Sequence, residues 1–336
     1  MDSCLKVILA NRNRGRFWSI EEIFSNVQRC FPSWVQSIIV SAPNGRANFG
    51  SLRANLSWLC SLESCDLIHQ TGDIHYVILG SWRFPTILTI HDLRLIEESR
   101  GIKRFLFLWL WFYLPCLKAK KITVISEFTK GRLLKYCKID ANKIRVIPNC
   151  VSPEFVAKKD VWPLDKVKIL QVGTTDNKNL FRLAEACSGL SVSLCVLGKL
   201  SDHQHERLKR FDIDYKEYVG LTKEDVYNLY VVCNLVVFVS TYEGFGMPII
   251  EAQAIGRPVL TSKIAPMCEV AGKGAFLVDP FSVDSIRSGL ERLLNDAELR
   301  EQLVASGFEN VKRFSASAVA LEYATLYREV IEGTGR

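Results

Sequence analysis

Short runs of apolar, mostly β-branched residues alternate with stretches of helical period along this 336-residue chain. That alternation predicts parallel sheets covered by helices. In the first half the strand-like runs are KVILA at 6–10, QSIIVSA at 36–42, DLIH at 66–69, TILTIHD at 86–92, KITVIS at 121–126 and IRVIP at 144–148. In the second half they are VKILQVG at 167–173, VSLCVLG at 192–198, LVVFVS at 235–240, PVLTS at 258–262 and AFLV at 275–278. Runs without polar interruption suit strands buried on both faces. The stretch from Pro148 to Pro163 has no period, contains Pro153 as well, and reads as a linker. The expected fold is therefore α/β, with two Rossmann-like, doubly wound parallel-sheet domains facing across a cleft. Ligands in such sheets bind outside the carboxyl ends of the strands.

Composition narrows the class. A hydrophobic content of 48% with 24% charged residues belongs to a folded globular protein. The opening MDSCLKVILA lacks a basic region followed by a cleavable apolar stretch, so no signal peptide is expected. Eleven scattered cysteines without a Cys-x-x-Cys pair argue against a disulfide framework or structural zinc and fit reduced thiols in the cytoplasm. The net charge of +7 is uneven: residues 1–150 hold 21 Lys and Arg against 11 Asp and Glu, and the remainder 22 against 25. A basic first half suits anionic lipid or a phosphorylated substrate; the alternative is a solvated surface. The excess is not gathered into one patch, which disfavours nucleic acid.

The densest chemistry lies in EGFGMPIIEA at 243–252. It follows the apolar run 235–240, and Pro248 fits the first turn of a helix. Gly244 and Gly246 let the backbone pass close to a ligand, and free N–H groups at the helix start favour an anion. Glu243 is expected at the strand end and Glu251 one turn into the helix, an arrangement suited to a sugar bound through its hydroxyls. Bland roles compete: Glu251 at a helix N-terminus and Glu243 in a solvated turn.

These residues resemble the retaining nucleotide-sugar glycosyltransferases of the GT-B fold, specifically glycosyltransferase family 4 (glycosyl transferases group 1). The likeness runs from about Asp66 to Tyr327 and is most specific in LYVVCNLVVFVSTYEGFGMPIIEAQAIGRPVLTS at 229–262. KITVISEFTKGRLLKYCKIDANKIRVIPNCVSPEF at 121–155 resembles the end of the family's acceptor domain, and ILQVGTTDNKNLFRLAEA at 169–186 the opening of its donor domain. The resemblance implies an acceptor domain at 1–150, a donor domain at 151–316, and a final helix, 317–336, crossing back to the first domain.

Carried over by position, the resemblance implies that Glu251 binds the ribose hydroxyls of the nucleotide and Glu243 the hydroxyls of the donor sugar. A carboxylate can accept from two vicinal hydroxyls, and such charge-assisted bonds are strong. Lys178 matches the lysine that neutralises the donor diphosphate, where a fixed cation stabilises the leaving group. Many relatives have an arginine soon after the first glycine of this loop; here Gly173 is followed by Thr174 and Thr175. Backbone groups of Phe245, Gly246 and Met247, with Gly220 after a strand-like segment, are implied at the donor. His91 and Asp92 end the TILTIHD run, and the resemblance puts the histidine at the donor sugar. In the loop 11–18, Arg12, Arg14 and Arg16 surround Gly15 without the usual paired glycines; one of them is expected at phosphate or acceptor.

Other signals carry less. The Asp-x-Asp of DID at 212–214 sits in polar RLKRFDIDYKEY and reads as a loop. His203 and His205 have no further ligands nearby, and no metal is expected. Thr222 is placed as a helix cap. The stretch KRFLFLWLWFYLPCLKAKK at 103–121 holds 13 apolar positions, 105–117. As a helix these span about 20 Å, short of a bilayer core of roughly 30 Å. Flanking Lys103, Arg104, Lys118, Lys120 and Lys121 suit peripheral contact with anionic membrane through Trp109 and Trp111; burial against the sheet is the competing reading. The expected activity is transfer of a sugar, with retained configuration and without metal or other cofactor, from a nucleoside-diphosphate sugar to a saccharide or lipid-linked acceptor. The rivals are an epimerase or phosphorylase on the same plan, and a non-catalytic sugar-nucleotide-binding subunit. A dehydrogenase is disfavoured because no Gly-x-Gly-x-x-Gly opens either half.

Overall fold

A computed structural model describes residues 4–12, 19–44, 49–62, 64–159, 162–163 and 165–334. The chain divides into two compact units, Met1–Cys150 with Ser315–Arg336, and Val151–Phe314. Each carries one six-stranded sheet in which every pairing is parallel.

In the first unit the strands are β1 (Leu5–Asn11), β2 (Val35–Ser41), β3 (Leu67–Gln70), β4 (Thr86–Ile90), β5 (Lys121–Val124) and β6 (Ile144–Val146), in the spatial order β2-β1-β3-β4-β5-β6. Every residue of β3 and β4 is buried, as their unbroken apolar runs require. The helix Ala316–Thr334 belongs to this unit and buries Val319, Ala320, Tyr323, Leu326 and Tyr327, spaced as one helical stripe. Inside the core, His69 on β3 holds Tyr327 Oη at 2.7 Å through Nδ1 and Thr89 Oγ1 at 2.6 Å through Nε2. Thr89 in turn meets Thr123 on β5 at 2.6 Å. This polar chain fastens three adjacent strands to the last helix, and each buried member has a partner.

The second sheet comprises β7 (Val167–Val172), β8 (Val192–Leu197), β9 (Asp214–Tyr218), β10 (Leu235–Phe238), β11 (Val259–Ser262) and β12 (Phe276–Val278), ordered β12-β11-β10-β7-β8-β9. Counted within the unit this is the 3-2-1-4-5-6 order of dinucleotide-binding sheets. β9 is absent from the apolar runs given above, although the residues before Gly220 read as strand-like. Its sequence, DYKEY, has no apolar run because it lies at the sheet edge, pairs only with β8 and leaves residues exposed. The DID segment is thus not wholly a loop: Asp212 turns with φ 53° and Asp214 opens β9, paired with Lys166 at 2.8 Å.

The aromatic stretch forms a helical segment of three parts, Gly101–Phe107, a wider π-type turn at Leu108–Tyr113, and Leu114–Lys118. Trp111 and Phe112 are buried whereas Trp109 is exposed. The two tryptophans expected to act together at an interface therefore face opposite environments, and Trp111 is a core residue. Its indole N–H donates to Asp73 O at 3.1 Å. Among the described residues no helix is long and apolar enough to cross a membrane.

Candidate functional site

Strand order in the second sheet reverses at β7, which lies between β8 and β10. Loops leaving neighbouring strands at such a point open a crevice, the usual ligand position in an open parallel sheet. Here they are 173–179 after β7 and 239–246 after β10.

The first loop folds back on itself. Gly173 has φ +88°, and a Cβ there would lie 2.9 Å from Lys178 Cε, so glycine alone lets the lysine lie across the turn. Gln171 Nε2 donates to Lys178 O at 3.0 Å. Asn179, with φ 62°, starts the helix Leu180–Cys187 and donates from Nδ2 to Val239 O at 3.0 Å and Pro280 O at 2.7 Å. Between the loops, Thr241 N donates to Asn177 O at 2.8 Å, and Asn177 Nδ2 donates to Tyr242 O at 2.9 Å. The backbones are thereby held in one register before any ligand arrives.

That register brings Lys178 Nζ to 2.7 Å from Glu243 Oε1 and Asn177 Nδ2 to 3.2 Å from the same atom. The ammonium also stands 4.8 Å from the centroid of the Phe238 ring, a favourable face for a cation. Both donors converge on Oε1. Neither reaches Oε2, and Glu243, at 16% side-chain exposure, is open to a small hydrogen-bonding molecule. The cation and carboxylate expected separately thus form one unit, which can offer a positive charge to an anion and an oxygen to a hydroxyl.

Glu251 lies in the helix Met247–Ile255, which starts after Gly246 at φ +126° with Pro248 in its first turn. Tyr230, fully buried on the helix Lys223–Val232, donates its hydroxyl to Glu251 Oε2 and packs edge-on against Phe155 at 5.4 Å. Burial, then the charge of Glu251, pushes the Tyr230 phenol well above its ordinary value, so it stays a donor. Phe245 is buried and packs against Phe314 at 5.6 Å, leaving its backbone as the part available to a ligand. Met247 opens the helix. Gly244 precedes Phe245 in the turn.

Other expected residues are otherwise engaged. Thr174 Oγ1 donates to Lys199 O at 2.8 Å and its carbonyl accepts from Gln204 Nε2 at 2.6 Å, so its hydroxyl serves the loop. Gly220, at φ +68°, makes the turn after β9, and Thr222 caps the next helix reciprocally with Asp225. His205 meets Tyr215 Oη at 2.8 Å. Among the described residues, no group of three or more His, Cys, Asp or Glu could hold a metal ion.

In the first unit, His91 directly follows β4 and is buried. Its Nε2 stands 2.8 Å from Thr71 O. A carbonyl only accepts, so Nε2 carries the proton and the neutral ring presents Nδ1 as acceptor. Burial is the main influence holding its pKa below the ordinary value, against the opposing pull of the Thr71 carbonyl and Asp92. Asp92 is exposed and accepts from Arg94 N at 3.0 Å, opening a short helix. Arg12, 7% exposed, is gripped by Glu21 at 2.9 Å and Asp73 at 2.7 Å. Both carboxylates neutralise the charge of Arg12, while Arg14 and Arg16, the other two candidates of this loop, lie outside the described residues. Asn177 and Tyr230 were not singled out from sequence. Asn177 lies inside the loop GTTDNKN and Tyr230 inside the 229–262 string, but nothing local ties Tyr230 to Glu251, 21 positions away.

The family profile described as Glycosyl transferases group 1 matches residues 154–310, and that described as Glycosyltransferase Family 4 matches 12–155. Among curated proteins, the serotype-specific mannosyltransferase WbdA of Escherichia coli is 29% identical over 259 residues, 69% of this chain and 32% of the relative. The chain thus spans about a third of that relative's length. The capsular polysaccharide biosynthesis glycosyltransferase CapM of Staphylococcus aureus is 27% identical over 73% of this chain and 70% of its own. Among solved structures, HepE of Anabaena in complex with UDP superposes with a TM-score of 0.77 at 14% identity, covering 97% of this chain and 100% of that one; it is also known with UDP-glucose. That likeness speaks for the fold.

Proposed function

The chain belongs to the glycosyltransferases of group 1 and family 4, and from that premise we propose that it moves a sugar from a nucleoside-diphosphate donor to a saccharide or lipid-linked acceptor in polysaccharide biosynthesis, acting at the cytoplasmic face of a membrane. The observation that carries this reading is the convergence of Lys178 and Asn177 on one oxygen of Glu243 at the switch point of the second sheet. Lys178 is assigned to the diphosphate, Glu243 to hydroxyls of the donor sugar, and Glu251 to the ribose. His91 is assigned to orient the sugar. The mannosyltransferase and capsular relatives, and the UDP-bound neighbour, fit this donor and product class.

In the proposed reaction the bond from the anomeric carbon to the diphosphate oxygen breaks while the acceptor hydroxyl attacks from the same face. The leaving oxygen takes the acceptor's proton, so configuration is retained and no separate base is needed. Lys178 supplies the positive charge that the leaving diphosphate requires. Incubating the protein with radiolabelled nucleotide sugars and an acceptor panel tests the reading, with chelator added to test independence of metal. A second reading, a non-catalytic sugar-nucleotide-binding subunit, is favoured by Thr174 standing where many relatives have arginine and by its hydroxyl being committed to Lys199 O. Calorimetric donor binding with neither transfer nor donor hydrolysis would select it.

A further inference from the structure

The helical segment from Gly101 to Lys118 is apolar on two faces. Trp111, Phe112 and Cys116 enter the core of the first unit. Ile102, Phe105, Leu106, Trp109 and Leu110 are exposed by 41–79% and recur at the i, i+3, i+4, i+7, i+8 spacing of a helical stripe. Along it Phe105 packs on Trp109 at 5.8 Å, and Trp109 on the partly buried Tyr113 at 4.9 Å, which ties the exposed rings to the core. Trp82, 82% exposed, adds to it, with Lys118 Nζ 5.2 Å from its ring. Seven of the fourteen exposed large hydrophobic residues described fall in this segment and at Trp82, a concentration that single scattered surface residues do not produce.

Charge identifies the partner. From Gly101 to Ser126 there is no Asp or Glu, while Lys103, Arg104, Lys118, Lys120 and Lys121 flank the apolar positions. We propose that this face docks in the headgroup region of an anionic bilayer, the helix lying in the membrane plane with its rings at headgroup depth and its cations among lipid phosphates. A second copy is a poorer occupant: a symmetric pairing of the same face would set the two cationic rims against each other. The proposal is independent of the donor-site reading.

The test is flotation of the full chain with vesicles of phosphatidylcholine alone and of phosphatidylcholine with phosphatidylglycerol. Binding is expected to the anionic vesicles and to weaken with salt. The triple variant Phe105→Ser, Trp109→Ser, Leu110→Ser should lose about tenfold or more of that binding. Its circular dichroism should match the parent. Lys103→Glu with Lys118→Glu, which keeps every residue of the exposed apolar stripe, should weaken binding as well, and serves if the triple variant misfolds. Absence of binding at low salt, or equal binding to both vesicle types, overturns the proposal. So does a vesicle-independent dimer that the triple variant dissociates.

Discussion

Lys178 Nζ and Glu243 Oε1 stand 2.7 Å apart, although 65 positions separate them in sequence. The pairing follows from the strand order. β7 and β10 are neighbours, so the lysine after one and the glutamate after the other emerge together. A partly buried pair of this kind positions both charges before a ligand is present, and positioning ahead of reaction is what electrostatic stabilisation requires.

Glu243→Gln keeps the shape and an acceptor oxygen but removes the charge from this pair. Turnover at saturating donor should fall about 10²–10³-fold, the scale typical of losing one preorganised transition-state contact. Nucleotide affinity should change far less. Radiolabelled transfer and calorimetry with a nucleoside diphosphate separate the two quantities; turnover equal to the parent removes Glu243 from the sugar site.

Lys178→Ala removes the cation and leaves Glu243 with Asn177 as its recorded donor. The donor should bind more weakly by about 1.5–3 kcal/mol, the range for hydrogen bonds to charged groups. The same variant should bind the free nucleoside without penalty, since the loss is at the phosphates. Unchanged diphosphate affinity in calorimetry would refute the assignment.

The parallel sheets were legible because central strands such as β4 and β10 are unbroken apolar runs, and burial on both faces permits nothing else. The edge strand β9 was not, since exposure on alternate residues erases that run. Lys178 and Glu243 were each legible from motif and loop context. Their contact was not, because the neighbour relation of β7 and β10 is a property of topology that no local segment encodes. That Trp109 and Trp111 face opposite environments was not legible for another reason. Thirteen consecutive apolar positions contain no phase, and the π-type turn inside them shifts whatever phase a regular helix would have.

Tyr230→Phe tests whether the phenol orients Glu251. The ring and its packing on Phe155 remain, while one hydrogen bond to the carboxylate is lost. Affinity for the nucleoside diphosphate should fall about tenfold, with turnover at saturating donor within about twofold of the parent, because a ground-state contact is weakened. Glu251→Ala, measured beside it, should cost at least as much affinity. If Glu251→Ala weakens binding and Tyr230→Phe does not, the tyrosine has no positioning role.

The buried histidines of the first unit make its stability depend on pH. Burial holds His69 down to about 3 and His75 to about 4, against an unfolded value of 6.5. Above pH 6.5 both are neutral whether folded or not, and stability is at its full value. As pH falls below 6.5 the unfolded chain takes up protons that the folded unit refuses, so stability is lost progressively down to about pH 4 and then about pH 3. Well inside that window each histidine should contribute a slope of about 1.4 kcal/mol per pH unit. Denaturant melts of the parent at several pH values should show the decline beginning below 6.5. In His69→Gln, which loses a titrating group at a cost in baseline stability, the decline should be shallower by one proton; an unchanged slope would mean that His69 is not held neutral by the fold.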